Sequence, residues 1–509
     1  MSGLTENIYL LTPEFVLAGL AILVLGIDLF LPEDRKDVIG WISIASLVLV
    51  GALSLMMLPG HEESLYGGLV AVDAFSLLFK IVFLLIGVFI ILSSMEYIKR
   101  NFAHQGEFYG LLLFSILGMN LMVQARELLT AYMALELLSF SLYIMVTYSL
   151  NNVKSNEAGI KYIIIGAFSS AVLLYGLSMV YGVLGVTRFH DIAMAISGSA
   201  ELSPSLWVGV ALIFVGLGFK LSIVPFHMWA PDTYEGAPLP VTAYLAIASK
   251  TAAFALVLRF LCEGLIPAGD LWHQWQIIFA IIAALSMLTG NLVALAQTNM
   301  KRLMAYSSIG HVGYILAGIT VLSAGSTMAI NSVTFYLVGY AVTNMIVFGA
   351  VISFFNMTGK DDISDFRGLA DTHPLLAASI AIALFSLAGL PIFAGFTVKF
   401  YLFTVVASSG FLWLAGVAII SSLISLYYYL QIVRQMYIEK SDMESIEPEP
   451  GAIDTSGAAS TLSTSLVKPS KTTISVLIIG LIAVVWLGVY PAPLLDVIEI
   501  ASRALVMGS

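Results

Sequence analysis

The sequence predicts an all-α, polytopic membrane protein with 14 transmembrane helices. Of its 509 residues, 59% are hydrophobic and only 11% are charged, whereas soluble domains carry about 25% charged residues. Fourteen apolar runs reach about 18 or more residues, the length that an α-helix needs to cross a bilayer. More than half of the chain therefore lies inside the bilayer, and the short loops leave no room for a soluble catalytic domain.

The predicted spans follow one another with short connections. They cover 12–31, 38–58, 72–98, 106–124, 127–149, 157–186, 205–225, 239–262, 274–298, 303–323, 326–357, 374–408, 411–438 and 473–490. Two stretches, 205–236 and 374–408, are too long for one straight span. Each contains a proline close to glycine, Pro225 in the first and Pro391 in the second. We therefore expect the seventh and twelfth helices to be broken inside the membrane.

The spans group into five segments along the chain. We predict a three-helix segment over 1–105, a first five-helix unit over 106–262, a second over 274–438, a flexible cytoplasmic loop over 439–472 and a final helix within 473–509. The loop is assigned from its Ser, Thr, Glu and Pro content.

Two further features of the composition exclude classes of site and of processing. The single cysteine, Cys262, excludes intrachain disulfides, cysteine-ligated iron–sulfur clusters and thiolate zinc sites. The amino terminus carries Glu6 and Glu14 where a secretory signal would carry positive charge, so we expect the first span to remain in the mature protein.

The basic residues predict the orientation. Alternating the spans places 14 of them on one side: Arg35, Lys36, Lys99, Arg100, Lys154, Lys161, Lys301, Arg302, Lys360, Arg367, Arg434, Lys440, Lys468 and Lys471. The other side receives four: Arg126, Arg188, Arg259 and Arg503. Short cytoplasmic loops are enriched in Lys and Arg. The rich side is therefore predicted to be cytoplasmic, with both termini on the outer, periplasmic side.

Four lysines remain, and all of them fall inside predicted spans: Lys80, Lys220, Lys250 and Lys399. A lysine at a helix centre costs about 2.5–3.5 kcal/mol, so each needs a partner or a water-filled path. Lys250 lies about 16 Å into its span, close to the middle of the bilayer core. Glu136 is the one carboxylate deep in a span, and pairing it with a lysine would keep both charges there.

Structural roles remain open for these residues. Lys80 either forms a structural ion pair with Asp73, seven residues away on a similar helical face, or has a functional role. Glu136 and the other three lysines could be structural ion-pair members, but four costly groups at similar depth are typical of a proton relay. His311 could be a haem ligand, a core histidine or a proton carrier. The other six histidines lie in loops or at span ends, which disfavours haem because haem needs a second ligand at matched depth.

The chain also contains an internal repeat. A Gly, Asn, Leu and Ala pattern around Gly118 returns around Gly290, and Gly218-Phe219-Lys220 matches Gly395-Phe396, with Lys399 following. Five spans separate the copies, and an odd number inverts the second copy in the membrane. The sequence therefore predicts an inverted repeat of helices 4–8 and 9–13.

Several motifs resemble the antiporter-like membrane subunits of respiratory complex I, which are related to multisubunit Na⁺/H⁺ antiporters. They are Ala-Leu-Glu-Leu at 134–137, Val-Pro-Phe-His-Met-Trp-Ala-Pro-Asp at 224–232, Ser-Lys at 249–250, Met-Lys-Arg-Leu at 300–303, Ala-Tyr-Ser-Ser-Ile-Gly-His at 305–311 and Leu-Ala-Gly-Leu-Pro at 387–391. Within the family, Lys399 and the run Asp-Phe-Arg-Gly-Leu at 365–369 resemble the N-type member.

The resemblance implies a proton path from a half-channel near Glu136 and Lys220, through Lys250 and His311, to Lys399 and the opposite half-channel. It also implies that FMN, iron–sulfur clusters and quinone belong to partner subunits, with no cofactor or metal in this chain. The expected partners are other membrane-arm subunits and the lipid bilayer, with quinone reached only through the whole complex and no nucleic acid. The expected location is a bacterial inner membrane or an equivalent energy-transducing membrane.

Two other functions compete with this interpretation. A subunit of a cation/proton antiporter without redox partners would use the same residues. A structural membrane scaffold would not require buried ionisable residues at several depths.

Overall fold

The computed structural model describes residues 8–32, 35–57, 63–198, 203–439 and 469–507. Almost all of this chain is helical. The helices are α1 (Thr12–Phe30), α2 (Asp37–Met56), α3 (Ala74–Asn101), α4 (Gln105–Gln124), α5 (Leu128–Val146), α6 (Val153–Leu184), α7 (Phe189–Ser197), α8 (Pro204–Leu221), α9 (Trp229–Gly236), α10 (Leu239–Tyr244), α11 (Lys250–Phe260), α12 (Asp270–Ala294), α13 (Met300–Thr320), α14 (Met328–Thr358), α15 (Leu369–Thr372), α16 (Pro374–Ala388), α17 (Ala394–Ser408), α18 (Leu412–Tyr437), α19 (Lys471–Val489) and α20 (Ala492–Met507).

The helical membrane fold is confirmed. Twelve helices among the described residues are long and apolar enough to cross a bilayer, one of them the continuous helix Leu239–Ala268 that contains α10 and α11. Helices α16 and α17 are apolar but have only 15 residues each. The structure adds a hairpin of β1 (Glu63–Leu65) and β2 (Val70–Val72) that the sequence analysis did not predict. Three-residue strands are too short to produce a recognisable alternation of apolar and polar residues.

Local sequence explains where the central helices begin and end. Asp73 starts α3 because its carboxylate accepts a hydrogen bond of 2.7 Å from the backbone N–H of Ser76. Asn299 starts α13 because its side-chain oxygen accepts from the backbone N–H groups of Lys301 and Arg302. Gly359 follows α14 at φ +70°, a left-handed conformation that glycine adopts without steric cost.

The burial pattern shows which helices lie at the centre of the molecule. The most apolar stretch of the helix Leu239–Ala268 is completely buried, and α14 is almost as enclosed, whereas α6, α18 and α19 expose most of their surface. Lys250 lies on this enclosed central helix. A charged side chain there can only be stabilised by protein groups or internal water.

Both predicted helix breaks are present. Helix α8 ends at Leu221, and the chain turns through Ser222 at φ +61° before α9 begins. The indole N–H of Trp229 donates to the carbonyl oxygen of Phe219 at 2.8 Å, which ties the two halves together. The second break follows α16 at Gly389, whose φ is +89°, and α17 begins five residues later.

Three expectations need correction or lie outside the described residues. The helix predicted to end at residue 262 continues to Ala268, so Arg259, counted with the outer loops, is fully buried inside it. The ammonium of Lys80 lies 2.5 Å from the Glu14 carboxylate and not beside Asp73. Of the predicted flexible loop over 439–472, residues 440–468 lie outside the described part of the chain.

Candidate functional site

The five residues predicted to carry protons come from five different helices. Glu136 lies on α5, Lys220 on α8, Lys250 on α11, His311 on α13 and Lys399 on α17. The three lysines and the histidine are buried, and Glu136 is partly buried. The structure therefore encloses the three lysines and the histidine, and hydrogen bonds fix the surroundings of all five residues.

Glu136 and Lys220 lie near one another but do not form a direct ion pair. The hydroxyl of Ser170 donates to the Glu136 carboxylate at 2.5 Å, and the Lys220 ammonium donates to the hydroxyl of Ser139 at 2.8 Å. Within the described residues, no carboxylate lies within 4 Å of the Lys220 nitrogen. Serine hydroxyls thus take the place of the predicted ion pair, and one of them, that of Ser139, lies on α5 together with Glu136.

Two aromatic side chains, Tyr162 and Trp229, lie near the Lys220 ammonium. The phenol oxygen of Tyr162 lies 3.5 Å from the Lys220 nitrogen, and the Tyr162 ring stacks on Trp229 with ring centroids 4.7 Å apart. Trp229 is the first residue of α9, beyond the helix break. The chain beyond the break therefore supplies Trp229, which stacks on the Tyr162 ring next to Lys220.

Lys250 follows directly on a five-residue π-helical segment, Leu245–Ser249. Such wide turns in α-helices often occur at functional sites. The Lys250 ammonium donates to the Ser308 hydroxyl at 2.5 Å and lies 5.6 Å from the centre of the Tyr234 ring. The partners of the central lysine are therefore a hydroxyl and an aromatic face, both neutral.

His311 is held between two phenols. Its Nδ1 lies 2.7 Å from the Tyr336 hydroxyl, and its Nε2 lies 3.5 Å from the Tyr429 hydroxyl. The same Tyr429 hydroxyl lies 2.5 Å from that of Ser307. Because a phenol faces each ring nitrogen, neither nitrogen points to a free axial position. This geometry disfavours the haem-ligand alternative and suits either a core histidine or a proton carrier.

Lys399 uses the second helix break as its binding partner. Its ammonium donates to the carbonyl oxygens of Leu387 at 2.7 Å and Ala388 at 3.3 Å, and to the Ser422 hydroxyl at 2.9 Å. The two carbonyls belong to the last turn of α16, where the chain break leaves them without helical partners. The Tyr314 ring centre lies 5.1 Å away.

The sequence analysis missed the hydroxyl partners of these charged groups. They are Ser139, Tyr162, Ser170, Ser308, Tyr336, Ser422 and Tyr429. Ser and Tyr are common in membrane helices, so composition did not distinguish them. Two signals were available: Ser308 lies within the motif at 305–311, and Tyr429 lies in the tyrosine-rich run 427–429.

A second charged group, the arginine cluster, lies outside this set and was also missed. Fully buried Arg259 donates two hydrogen bonds to Asp73, at 2.8 and 2.9 Å, and one to Glu263 at 2.8 Å. Arg126 donates to the same Glu263 at 3.0 Å, so two positive and two negative groups balance. Burial alone would raise the pKa of Asp73, but Arg259, the backbone N–H of Ser76 and Arg126 together outweigh burial and hold that pKa below its usual value. This geometry is that of a structural cross-link between α3 and α11.

Comparisons with known proteins agree with this architecture. The family described as "NADH:quinone oxidoreductase/Mrp antiporter, TM" matches residues 125–425. The NADH-quinone oxidoreductase subunit N of Desulforamulus reducens is 39% identical over 503 residues, which covers 98% of this chain and 99% of the relative. That of Rhodospirillum rubrum is 39% identical over 501 residues, which covers 98% and 97%.

Solved structures give the same result. A chain of respiratory complex I from Thermus thermophilus, with bound aureothin, has a TM-score of 0.74 at 28% identity and covers 95% of this chain and 98% of that one. A chain of the Mrp complex from Dietzia sp. DQ12-45-1b has a TM-score of 0.79 at 20% identity, which shows a shared fold; the coverage is 97% and 98%. This chain is an integral membrane protein that belongs to the NADH:quinone oxidoreductase/Mrp antiporter family of membrane subunits.

Proposed function

We propose that this chain is the N-type, proton-translocating membrane subunit of an NADH-quinone oxidoreductase. The observation that carries the proposal is the near full-length identity of 39% with N subunits of such complexes. The buried lysines on α8, α11 and α17 supply a chemical basis, because their hydrogen-bond partners are neutral. The electron-transferring groups, FMN, iron–sulfur clusters and quinone, belong in this proposal to partner subunits.

The proposed topology has fourteen spans. It adds α13 and the broken pair α16–α17 to the twelve long apolar helices. Helix α13 has 21 residues, enough to cross the bilayer, although it is less apolar than its neighbours. With an even number of spans and the excess of Lys and Arg on one side, both termini lie on the periplasmic side of a bacterial inner membrane.

The inverted repeat gains support from two close helix crossings. A Cβ atom at Gly118 would lie 2.8 Å from the backbone nitrogen 20 residues further on, and a Cβ at Gly290 would lie 2.4 Å from its counterpart, also 20 residues on. Both glycines thus let two helices approach at the same chain separation. The resulting offset of 172 residues pairs Glu136 with Ser308.

The proposed proton path runs along the polar interior. Protons enter from the cytoplasmic half-channel near Glu136 and Lys220, pass Lys250 and His311, and leave from Lys399 to the other side. Serine and tyrosine hydroxyls can donate or accept, so they serve a lysine or histidine in either protonation state. Helix breaks beside two of the lysines provide the unwound backbone typical of transport sites.

The test begins with the complex itself. An affinity tag on this chain should isolate peripheral flavin and iron–sulfur subunits with it, and the reconstituted complex should take up protons when NADH and quinone are supplied. Recovery of small membrane subunits alone, with Na⁺/H⁺ exchange and no NADH-dependent proton uptake, would instead establish the antiporter function. Proton uptake that persists after all five relay residues are replaced would show that the chain acts as a structural scaffold.

A further inference from the structure

A second intramembrane ion pair lies outside the proposed proton path. The Lys80 ammonium, on α3, is 2.5 Å from the carboxylate of Glu14, the third residue of α1, and both side chains are buried. Lys80 was the intramembrane lysine whose role the sequence left open. A buried ion pair recovers its desolvation cost only when further hydrogen bonds satisfy its remaining polar atoms.

Two buried amides on α4 have no protein partner. Asn120 and Gln124 are each 0% exposed. Neither the oxygen nor the nitrogen of either side-chain amide has a hydrogen-bond partner among the described residues. Each buried polar group left without a partner costs about 1–3 kcal/mol, and the great majority in native proteins are paired with protein or water.

The packing of α1 on α4 places these amides beside Glu14. A Cβ atom at Gly106, near the start of α4, would lie 2.2 Å from the Cβ of Asp28, near the end of α1, and one at Gly110 would lie 2.6 Å from Leu25, so the two helices are antiparallel. Glu14 precedes Asp28 by 14 residues and Asn120 follows Gly106 by 14, which is about 21 Å along each helix. Gln124 is 18 residues, or five turns, beyond Gly106 and therefore points in the same direction. Asn120 therefore lies level with Glu14, and Gln124 lies about one turn beyond it.

The packing of α3 on α4 gives the same level for Lys80. A Cβ atom at Gly87 would lie 2.6 Å from the Cδ1 atom of Ile116. Lys80 lies seven residues before Gly87 on α3, which is close to two full turns. On antiparallel α4 the same distance beyond Ile116 leads to Val123, which lies between the two amides. Two independent helix contacts thus place the four side chains within about one turn of one another along α4.

We propose that Glu14, Lys80, Asn120 and Gln124 form a closed site that binds a small cluster of water molecules. Each bound water needs two to four polar partners, and the four amide atoms with the free carboxylate lone pairs supply them. A metal cation does not suit this site, because the ammonium already balances the carboxylate and the amides are neutral. The bound water joins the three-helix segment, through α1 and α3, to α4 of the first five-helix unit.

The first test is a structure of the purified complex at a resolution that shows ordered water. We expect water density within hydrogen-bond distance of both amides. Amides packed without any density, or density with the short distances of a metal ion, would overturn the proposal. The outcome is independent of the proposed function, because the site lies outside the proposed path.

A stability measurement gives the second test. Asn120→Leu keeps a similar volume and removes the amide, and Met119→Leu is the matched control at a buried neighbour on the same helix. If water pairs the amide, Asn120→Leu removes part of the hydration of the ion pair, and the thermal midpoint of the complex falls below that of the control. A midpoint above the control would mean that the amide is unpaired and the site is dry, which would overturn the proposal.

Discussion

The distance between Glu136 and Lys220 allows a quantitative prediction. Ser139 lies three residues after Glu136 on α5, so their Cβ atoms are about 5–6 Å apart. The Lys220 nitrogen is 2.8 Å from the Ser139 hydroxyl, which places the two charges roughly 7 Å apart. With an effective dielectric constant of about 20, charges at this distance interact by about 2 kcal/mol. The prediction therefore concerns a pair coupled through space, without direct contact.

A double-mutant cycle measures this coupling. We expect Glu136→Gln and Lys220→Met each to slow NADH-driven proton uptake by reconstituted complex. In the double variant the rate of proton uptake should fall by less than the product of the two single reductions. The difference should be about 30-fold, because a coupling of about 2 kcal/mol is converted at about 1.4 kcal/mol per factor of ten. Breaking a direct buried ion pair would cost 3–5 kcal/mol, and a coupling of that size would show that the two residues meet during turnover.

Surface charges provide the control for this cycle. Glu157→Gln and Lys360→Met remove one acid and one base whose side chains are 61% and 66% exposed. Their effects on proton uptake should be small and additive. A coupling between Glu136 and Lys220 below about 0.5 kcal/mol, no larger than the usual departure from additivity at distant sites, would refute the pair.

Four further predictions concern single residues of the same structure. Lys250→Ala should leave the complex assembled and strongly reduce proton uptake; wild-type pumping by the assembled variant would remove Lys250 from the path. Lys399→Cys, with Cys262 replaced, should react with a membrane-impermeant thiol reagent from the outer face if it reacts at all, and labelling only from the cytoplasmic face would reverse the proposed direction. Arg259→Met should destabilise the complex by about 3–5 kcal/mol, since it leaves buried carboxylates uncompensated. Because the folded-state pKa of Asp73 lies below its usual 3.8, its stabilising contribution is complete above that pH and is lost as pH falls further. The difference in unfolding free energy between wild type and Asp73→Asn should therefore be constant near neutral pH and shrink only below about pH 4.

The sequence predicted the membrane fold because burial in lipid leaves a strong signal in composition and length. The helix breaks were predictable for a similar reason, since Pro225 and Pro391 interrupt otherwise continuous apolar runs. The end of the eighth helix could not be predicted from the sequence. Arg259 looked like a loop residue because its charge is costly in the membrane, and the compensating Asp73 is 186 positions away in sequence. Long-range pairing of this kind is not visible in local periodicity.

The candidate site was predictable in its charged residues but not in its contacts. An intramembrane charge stands out in sequence because it is rare. Its partners do not, when they are serines, tyrosines or backbone carbonyls. The carbonyls that bind Lys399 are free only because α16 ends at Gly389, and that geometry follows from the backbone. Sequence therefore identified the charges and structure identified what stabilises them.

The four membrane lysines separate into two kinds by the charge of their partners. Lys80 contacts the carboxylate of Glu14. Lys220, Lys250 and Lys399 contact hydroxyls and carbonyls, which solvate an ammonium without a fixed counter-charge. Among the described residues no carboxylate contacts these three ammonium groups directly, so loss of a proton from one of them would not break a direct ion pair. Partner charge thus gives a physical criterion that supports the proposed role of three lysines in proton transfer and sets Lys80 apart from them.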